Sequence, residues 1–288
     1  MKDHVARFTT TTNYRIALVR CSQTAQLIGN EQHKLTNKPL SYFSDGMVAA
    51  LLLATQLKGN GVLSYEFDSD GPFDNYRCDA TPLGYIRAMI PSSTFDKIST
   101  WDNKSPLIGK GNLYIGKKIN QTKKPYQSVI KLVSENLTLN TIYYLKISEQ
   151  INGIIHLCTM VKNNKVIHSD GFLVEELPGT TDEDRTRMEN QINSIKEPGI
   201  LFQNQDEDDV IIKRLLGNLT YNHIKDFDIN FACPCTEKRF SQNLALISRN
   251  ELNSLTDESD EIITECDFCK KVYQFKLKDI LQFKNNLN

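Results

Sequence analysis

Cys233-Pro234-Cys235 and Cys266-Asp267-Phe268-Cys269 are the residues from which the organisation of this chain is read most directly. The spacing is C-x-C, thirty residues, C-x-x-C. Two close pairs on either side of a loop suit a tetrahedral Zn²⁺ site, because each pair supplies two thiolates and the loop brings the pairs together. The first pair has a single intervening residue, where most structural zinc knuckles have two or more. Four sulfur donors make a soft site that prefers zinc to hard cations, with one ion per chain. Lys238, Arg239, Lys270 and Lys271 flank the pairs, where they offset the negative charge of four thiolates and favour deprotonation. Histidine is not needed: the nearest, His223, lies ten residues before Cys233.

The segment that carries the cysteines, 231–288, is short. A domain of that size buries little apolar surface and often depends on a metal. Three roles for the site are open at this point: a fixed structural zinc knuckle, a redox switch, or a thiol oxidoreductase using Cys266 and Cys269. The last is the weakest, because this C-x-x-C does not open a helix in a thioredoxin-like βαβ setting. The switch is energetically reasonable. Zinc binding to a structural site is worth roughly 10–16 kcal/mol, and a whole domain is stable by only about 5–15 kcal/mol. Oxidation of the ligands would unfold so small a domain and free whatever is docked against it. Cys21, Cys78 and Cys158 stand alone in apolar surroundings and read as small buried hydrophobes.

Upstream, the chain has 288 residues, room for one large and one small domain. Its composition, 40% hydrophobic and 24% charged, is that of an ordinary globular protein. No stretch reaches the roughly 18 apolar residues of a membrane span. The first twelve residues show neither a secretory h-region nor an Arg-rich presequence, so a cytoplasmic location is expected. Net charge is −1 but uneven: residues 1–178 carry 20 basic and 15 acidic side chains, residues 179–230 carry 6 and 11, and residues 231–288 carry 8 and 9. No segment is basic enough to make nucleic acid the main partner.

Residues 1–178 mix strands and helices in irregular order, which predicts an α+β domain with mainly antiparallel sheets. Strands are expected at 14–19, 62–67, 85–90, 113–117, 126–133, 153–161 and 171–177, with a turn at Asn163-Asn164. Leu63, Tyr65 and Phe67 should share one face. Helices are expected at 22–32, with Ser22 a candidate N-cap, at 44–57, opened by Ser44 or Asp45 and stopped by Gly59, and at 139–150. Pro178-Gly179 closes this domain. Residues 182–196 and 206–219 then read as helices with acidic first turns, which the helix dipole favours. Met188, Ile192 and Ile195 form one apolar stripe; Val210, Ile211, Leu215 and Leu219 form a second, widened by Ile212 and Leu216. The segment 179–230 is therefore read as a helical linker. It is either an ordinary pair of packed helices or a docked, detachable piece whose charge opposes that of the N-terminal domain.

At these residues the chain resembles the heat shock protein 33 family of redox-regulated chaperones. Cys233, Cys235, Cys266 and Cys269 fit the family signature one by one, and Val272-Tyr273-Gln274-Phe275, Arg239 and Leu244-Ala245-Leu246-Ile247 fit its context. Leu51-Leu52-Leu53-Ala54-Thr55, Asp68-Ser69-Asp70-Gly71-Pro72, Gly109-Lys110-Gly111, Tyr126-Gln127-Ser128, Ser148-Glu149-Gln150 and the segment 171–178 are similar to family segments upstream. Asp68 departs from the pattern, where members often have glycine. The resemblance implies three parts: an α+β chaperone domain (1–178), a metastable helical linker (179–230) and a zinc-binding redox-switch domain (231–288). It implies a reduced, zinc-bound form that is inactive. Oxidation would form the disulfides Cys233–Cys235 and Cys266–Cys269, with zinc loss, linker unfolding and homodimerisation. The product would be an ATP-independent holdase for unfolded or partly unfolded client proteins under oxidative stress. In keeping with this, the chain has no GxxxxGK[ST] phosphate loop. The tight Cys233/Cys235 disulfide should be readily reduced, as a reversible switch requires. The alternative class is a static zinc-stabilised module that binds protein or nucleic acid. An enzyme is not expected, because His4, His33, His156, His168 and His223 show no hydrolase or triad spacing.

Overall fold

The computed structural model describes residues 2–119, 125–204, 206–256 and 260–285. The chain divides into two compact units, Met1–Phe231 and Ala232–Asn288. Among the described residues no helix is long and apolar enough to cross a membrane.

The first unit opens with a hairpin of β1 (His4–Thr10) and β2 (Tyr14–Arg20), paired from His4↔Arg20 to Thr9↔Arg15. Asn13, at φ 62°, makes the turn. A short α1 (Ser22–Ala25) runs into a π-helical segment, Gln26–Gln32. Ser22 is not the expected cap. Cys21 holds that position, and the Ser22 hydroxyl accepts from the Ser169 amide at 3.0 Å.

The central helix α2 (Asn37–Ala54) begins two turns before Ser44. Pro39 falls in the first turn, where its missing N–H has no intrahelical partner to lose. Ser44 is mid-helix and donates to the Leu40 carbonyl at 2.7 Å. Gly46 allows the helix to press on the Tyr76 ring, which a Cβ there would meet at 2.5 Å.

A second sheet follows: β3 (Val62–Ser69), β4 (Asn75–Ala80), β5 (Tyr85–Met89), then α3 (Ser92–Ser99), β6 (Gly111–Lys118) and β7 (Tyr126–Lys131). Leu63, Tyr65 and Phe67 are all fully buried, as their alternation predicts. Next come α4 (Leu137–Tyr144), capped by the Asn136 side chain, and its π-helical extension Leu145–Glu149. The long hairpin of β8 (Gly153–Lys162) and β9 (Lys165–Glu176) turns on Asn163 and Asn164, both at positive φ.

Residues 179–230 lie within this first unit. They form α5 (Asp182–Asn193), a 3₁₀ turn at Pro198–Phe202, α6 (Asp208–Leu216) and two strands, β10 (Tyr221–Asp228) and β11 (Asn230–Phe231). The expectation of a wholly helical linker is thus corrected at β10, which pairs with β1 through its backbone. The five-stranded sheet has the order β10-β1-β2-β9-β8 and the six-stranded sheet β11-β5-β4-β3-β6-β7. All pairings are antiparallel except β11 with β5, so the fold is α+β as expected.

The five-stranded sheet is covered on both faces. Val5, Ala17, Val19 and Leu173 join the core around α2, which lies between the two sheets. The alternate residues Ala6, Phe8, Ile16, Leu18, Phe172 and Val174 pack against α5, α6 and the 3₁₀ turn. Ile211, Ile212, Leu215 and Leu216 supply the α6 side of that contact; Val210, expected in the stripe, is instead exposed.

The second unit contains α7 (Glu237–Leu246), α8 (Arg249–Ser254), a hairpin of β12 (Glu261–Glu265) and β13 (Val272–Lys276), and α9 (Leu277–Asn285). Its buried core is small: Leu244, Leu252, Ile262, Cys266, Tyr273, Phe275 and Ile280.

Candidate metal centre

The two cysteine pairs are carried by two local structures. Cys235 directly precedes Thr236, whose hydroxyl caps α7 by accepting from the Arg239 amide at 3.2 Å. The Arg239 guanidinium donates back to the Pro234 carbonyl at 3.0 Å, so the helix start fixes the loop of the first pair. Cys266 and Cys269 sit on the turn of the β12–β13 hairpin. There the Cys266 amide donates to the Lys271 carbonyl at 3.0 Å and the Lys270 amide to the Cys266 carbonyl at 2.8 Å. Lys270 takes φ 58° to close this turn.

These supports bring all four sulfurs within 4.8 Å of one another. Cys233 Sγ is 3.7 Å from Cys266 Sγ, and Cys235 Sγ is 3.3 Å from Cys269 Sγ. A tetrahedron with metal–sulfur bonds near 2.3 Å has sulfur–sulfur edges of about 3.8 Å. The cluster therefore fits a tetrahedral ion, and the four cysteines could hold one. All four are free thiols. Both of these contacts run between the pairs, which sequence spacing does not disclose.

Burial pushes the thiols of Cys233 and Cys269 up. Burial acts the same way on Cys235, but the Tyr273 hydroxyl, donating at 3.2 Å, and the neighbouring thiols outweigh it, and Cys235 falls to about 7. Tyr273 is a residue in contact with the cluster that sequence reasoning missed. Its only signal is its place in the Val272-Tyr273-Gln274-Phe275 segment after the second pair. Its ring stacks on Phe240 at 4.6 Å, and Lys271 Nζ lies 5.1 Å above it. Lys270 pairs with Glu265 at 3.3 Å.

The other three cysteines divide. Cys21 and Cys78 are fully buried and their thiols pushed far up, as small hydrophobes should be. Cys158 differs from that expectation: it is only partly buried and lies under the 198–202 turn.

Besides its apolar stripe, the layer formed by α5 and α6 is held to the sheet by a buried charged cluster at Asp208. Asp208 takes hydrogen bonds from Arg20 Nε at 2.7 Å and from His4 Nε2 at 2.5 Å. Arg20 and Asp208 are 7% and 19% exposed. Burial alone would raise the Asp208 carboxyl, yet His4 and Arg20 together hold it low; the bond to Asp208 raises His4 in turn. The predicted charge opposition is realised here but is not uniform, because Arg185 of α5 binds Glu176 at the end of β9 at 2.6 Å.

A protein of two units, one an α+β fold with a sheet covered on both faces and the other carrying a four-thiol cluster, is a narrow structural class. The family model for Hsp33 protein matches residues 3–276, and the chain belongs to that family. Among similar proteins is a 33 kDa chaperonin of Desulforamulus reducens, 26% identical over 97% of this chain and 96% of that one. Another is the 33 kDa chaperonin of Streptococcus mutans, 25% identical over 95% of each chain. The crystal structure of the 33 kDa chaperonin of Thermotoga maritima superposes with a TM-score of 0.84, covering 99% of this chain and all of that one at 20% identity. That likeness establishes the shared fold.

Proposed function

We propose that this chain is a redox-regulated, ATP-independent holdase chaperone that is inactive when reduced and active when its four clustered cysteines are oxidised. The reading rests on one observation above all: four sulfurs within 4.8 Å in a unit whose buried core has few other members. Membership of a family whose curated relatives are named chaperonins supports it.

In this reading Cys233, Cys235, Cys266 and Cys269 hold one zinc ion. When bound, the ion supplies the cross-link that so small a core lacks. Each cysteine pair, Cys233 with Cys235 and Cys266 with Cys269, gives up two electrons to one peroxide, which takes two protons from solvent and becomes two waters. Both disulfides together consume every donor of the centre, and the second unit then unfolds.

The three functional parts are 1–178, 179–230 and 231–288. On unfolding of the last, α5 and α6 lift from the five-stranded sheet. The surface then uncovered is apolar on both sides: Phe8, Ile16, Leu18 and Phe172 on the sheet, Ile211, Ile212, Leu215 and Leu216 on the helix. Such a surface suits unfolded client proteins and self-association into a dimer. A reducing compartment, the cytoplasm, is where a thiol switch of this kind rests closed.

The deciding experiment measures zinc content and free thiols on one sample before and after peroxide at elevated temperature. About one zinc and about four thiols should disappear together, and the treated protein should suppress aggregation of a denatured client. Retained zinc, or equal suppression by the reduced protein, would leave a static zinc-stabilised module.

A further inference from the structure

Cys158 lies on β8 and faces the Pro198–Phe202 turn. Its Sγ is 4.0 Å from the Gly199 carbonyl, and a Cβ placed on Gly199 would come within 3.0 Å of that sulfur. The turn seats because residue 199 has no side chain and residue 158 a small one. The sulfur also lines a cavity of about 460 Å³, shared with Lys38, His168 and Glu197. His168 is 5% exposed. Its Nδ1 is 3.9 Å from Cys158 Sγ and 3.7 Å from Asp170 Oδ2, while its buried Nε2 has no partner among the described residues. An unpaired buried imidazole nitrogen beside a thiol favours a polar group from an incoming molecule.

We propose that Cys158 is a modification site for small disulfides bearing a polar or carboxylate head group, and that its mixed disulfide is a wedge that keeps the 198–202 turn from seating again. This rests on the linker release argued above and adds a second thiol to it. The Cys158 thiolate attacks one sulfur of R–S–S–R. The old S–S bond breaks, Cys158–S–S–R forms, and RS⁻ leaves and takes up the proton that His168 receives from the thiol. The Cys158 sulfur is oxidised and the departing sulfur reduced, so no further oxidant is needed. Lys38 and His168 line the cavity beside the sulfur.

The closed state protects the thiol. Burial pushes Cys158 up to about 12 and lowers His168, leaving an inert thiol beside a neutral imidazole. Lifting the turn removes the burial and opens the sulfur. Cys21 and Cys78, fully buried under α2 and the sheets, gain nothing from that motion.

The test uses glutathione disulfide as the reversible probe and iodoacetamide as the permanent one, on the full chain. Reduced, zinc-loaded protein should show no Cys158 adduct by peptide mass spectrometry. Protein opened with peroxide and heat should carry it in full, and dithiothreitol should remove the glutathione adduct. Opened protein alkylated at Cys158 and then returned to dithiothreitol and zinc should keep fast hydrogen exchange at 198–202 and 208–216. Unalkylated protein and Cys158→Ser treated in the same way should close. Absence of the adduct from opened protein, or closure of the alkylated protein at the ordinary rate, overturns the wedge. If hydrogen exchange shows that oxidation does not open the linker, the switch itself fails. Leu215→Ala, loosened without oxidation, then tests the wedge by the same alkylation.

Discussion

The two faces of the five-stranded sheet are made by the same strands and covered in different ways. On one face α2 is enclosed between two sheets, with thirteen of its eighteen residues buried and Leu51, Leu52 and Leu53 essentially inaccessible. On the other, α5 and α6 contribute narrow stripes, and most of α5 is polar; only Met188 and Ile192 of its twelve residues are buried. The first cover is part of the core and the second is a lid on it. A sheet with two apolar faces needs both covers to stay hidden, so the weaker cover determines when apolar surface appears.

The largest expected effect on this contrast comes from Asp208→Asn. It leaves the buried Arg20 guanidinium without its carboxylate, and loss of one partner of such a pair costs about 3–5 kcal/mol. Hydrogen exchange should rise across α5 and α6 and stay unchanged in α2. A global loss that includes α2 would erase the distinction between lid and core.

Leu52→Ala and Leu215→Ala remove the same side chain from opposite faces. Each should cost about 2–5 kcal/mol, but in different places. Leu52→Ala should lower the urea midpoint of the whole first unit. Leu215→Ala should lower protection between residues 182 and 219 while the β8–β9 amides exchange as before. If both variants melt the unit together, the two layers are one cooperative structure.

A smaller change, Thr181→Ala, removes the hydroxyl that accepts from the Asp184 amide at the start of α5. It should cost about 1 kcal/mol, confined to α5.

The smallest effect is a pH dependence of the lid. His4 is raised above 6.5 by its bond to Asp208, so its contribution is complete below about 6.5 and lost as pH rises through the raised value. Asp208 is held below 3.8, so its contribution is present above that and lost as pH falls through the lowered value. Lid protection should therefore peak in mildly acidic buffer. His4→Gln should flatten the alkaline side; a slope that persists in that variant would assign the effect elsewhere.

Residues whose partners lie close in sequence were legible without coordinates. Leu63, Tyr65 and Phe67 declare a strand face, Asn163-Asn164 declares a hairpin, and four cysteines at short spacing declare a cluster that could hold a metal. What could not be read depends on remote partners. β10 is exposed along most of its length and carries no apolar face, so nothing in Tyr221–Asp228 announces a strand until β1 offers its backbone. The start of α2 carries Pro39, whose cost depends on which turn it occupies. The Tyr273 hydroxyl reaches Cys235 only because the hairpin folds back on α7, a tertiary fact with no local pattern. The same holds for Cys158, whose neighbour Gly199 is 41 residues away.

The anchoring of the lid at its two ends has a topological consequence. The Leu177 amide bonds to the Asn13 carbonyl at 2.8 Å, and the Thr11 amide bonds to the Thr220 carbonyl at 3.2 Å. Both ends of the lid are thus stapled to one hairpin tip, between β1 and β2. A lid released between those staples is a closed ring of about forty residues, not a dangling tail. Its closure entropy, of the form (3/2)RT ln n, is already spent before the lid moves. Re-seating within a monomer is then a search within a tethered loop.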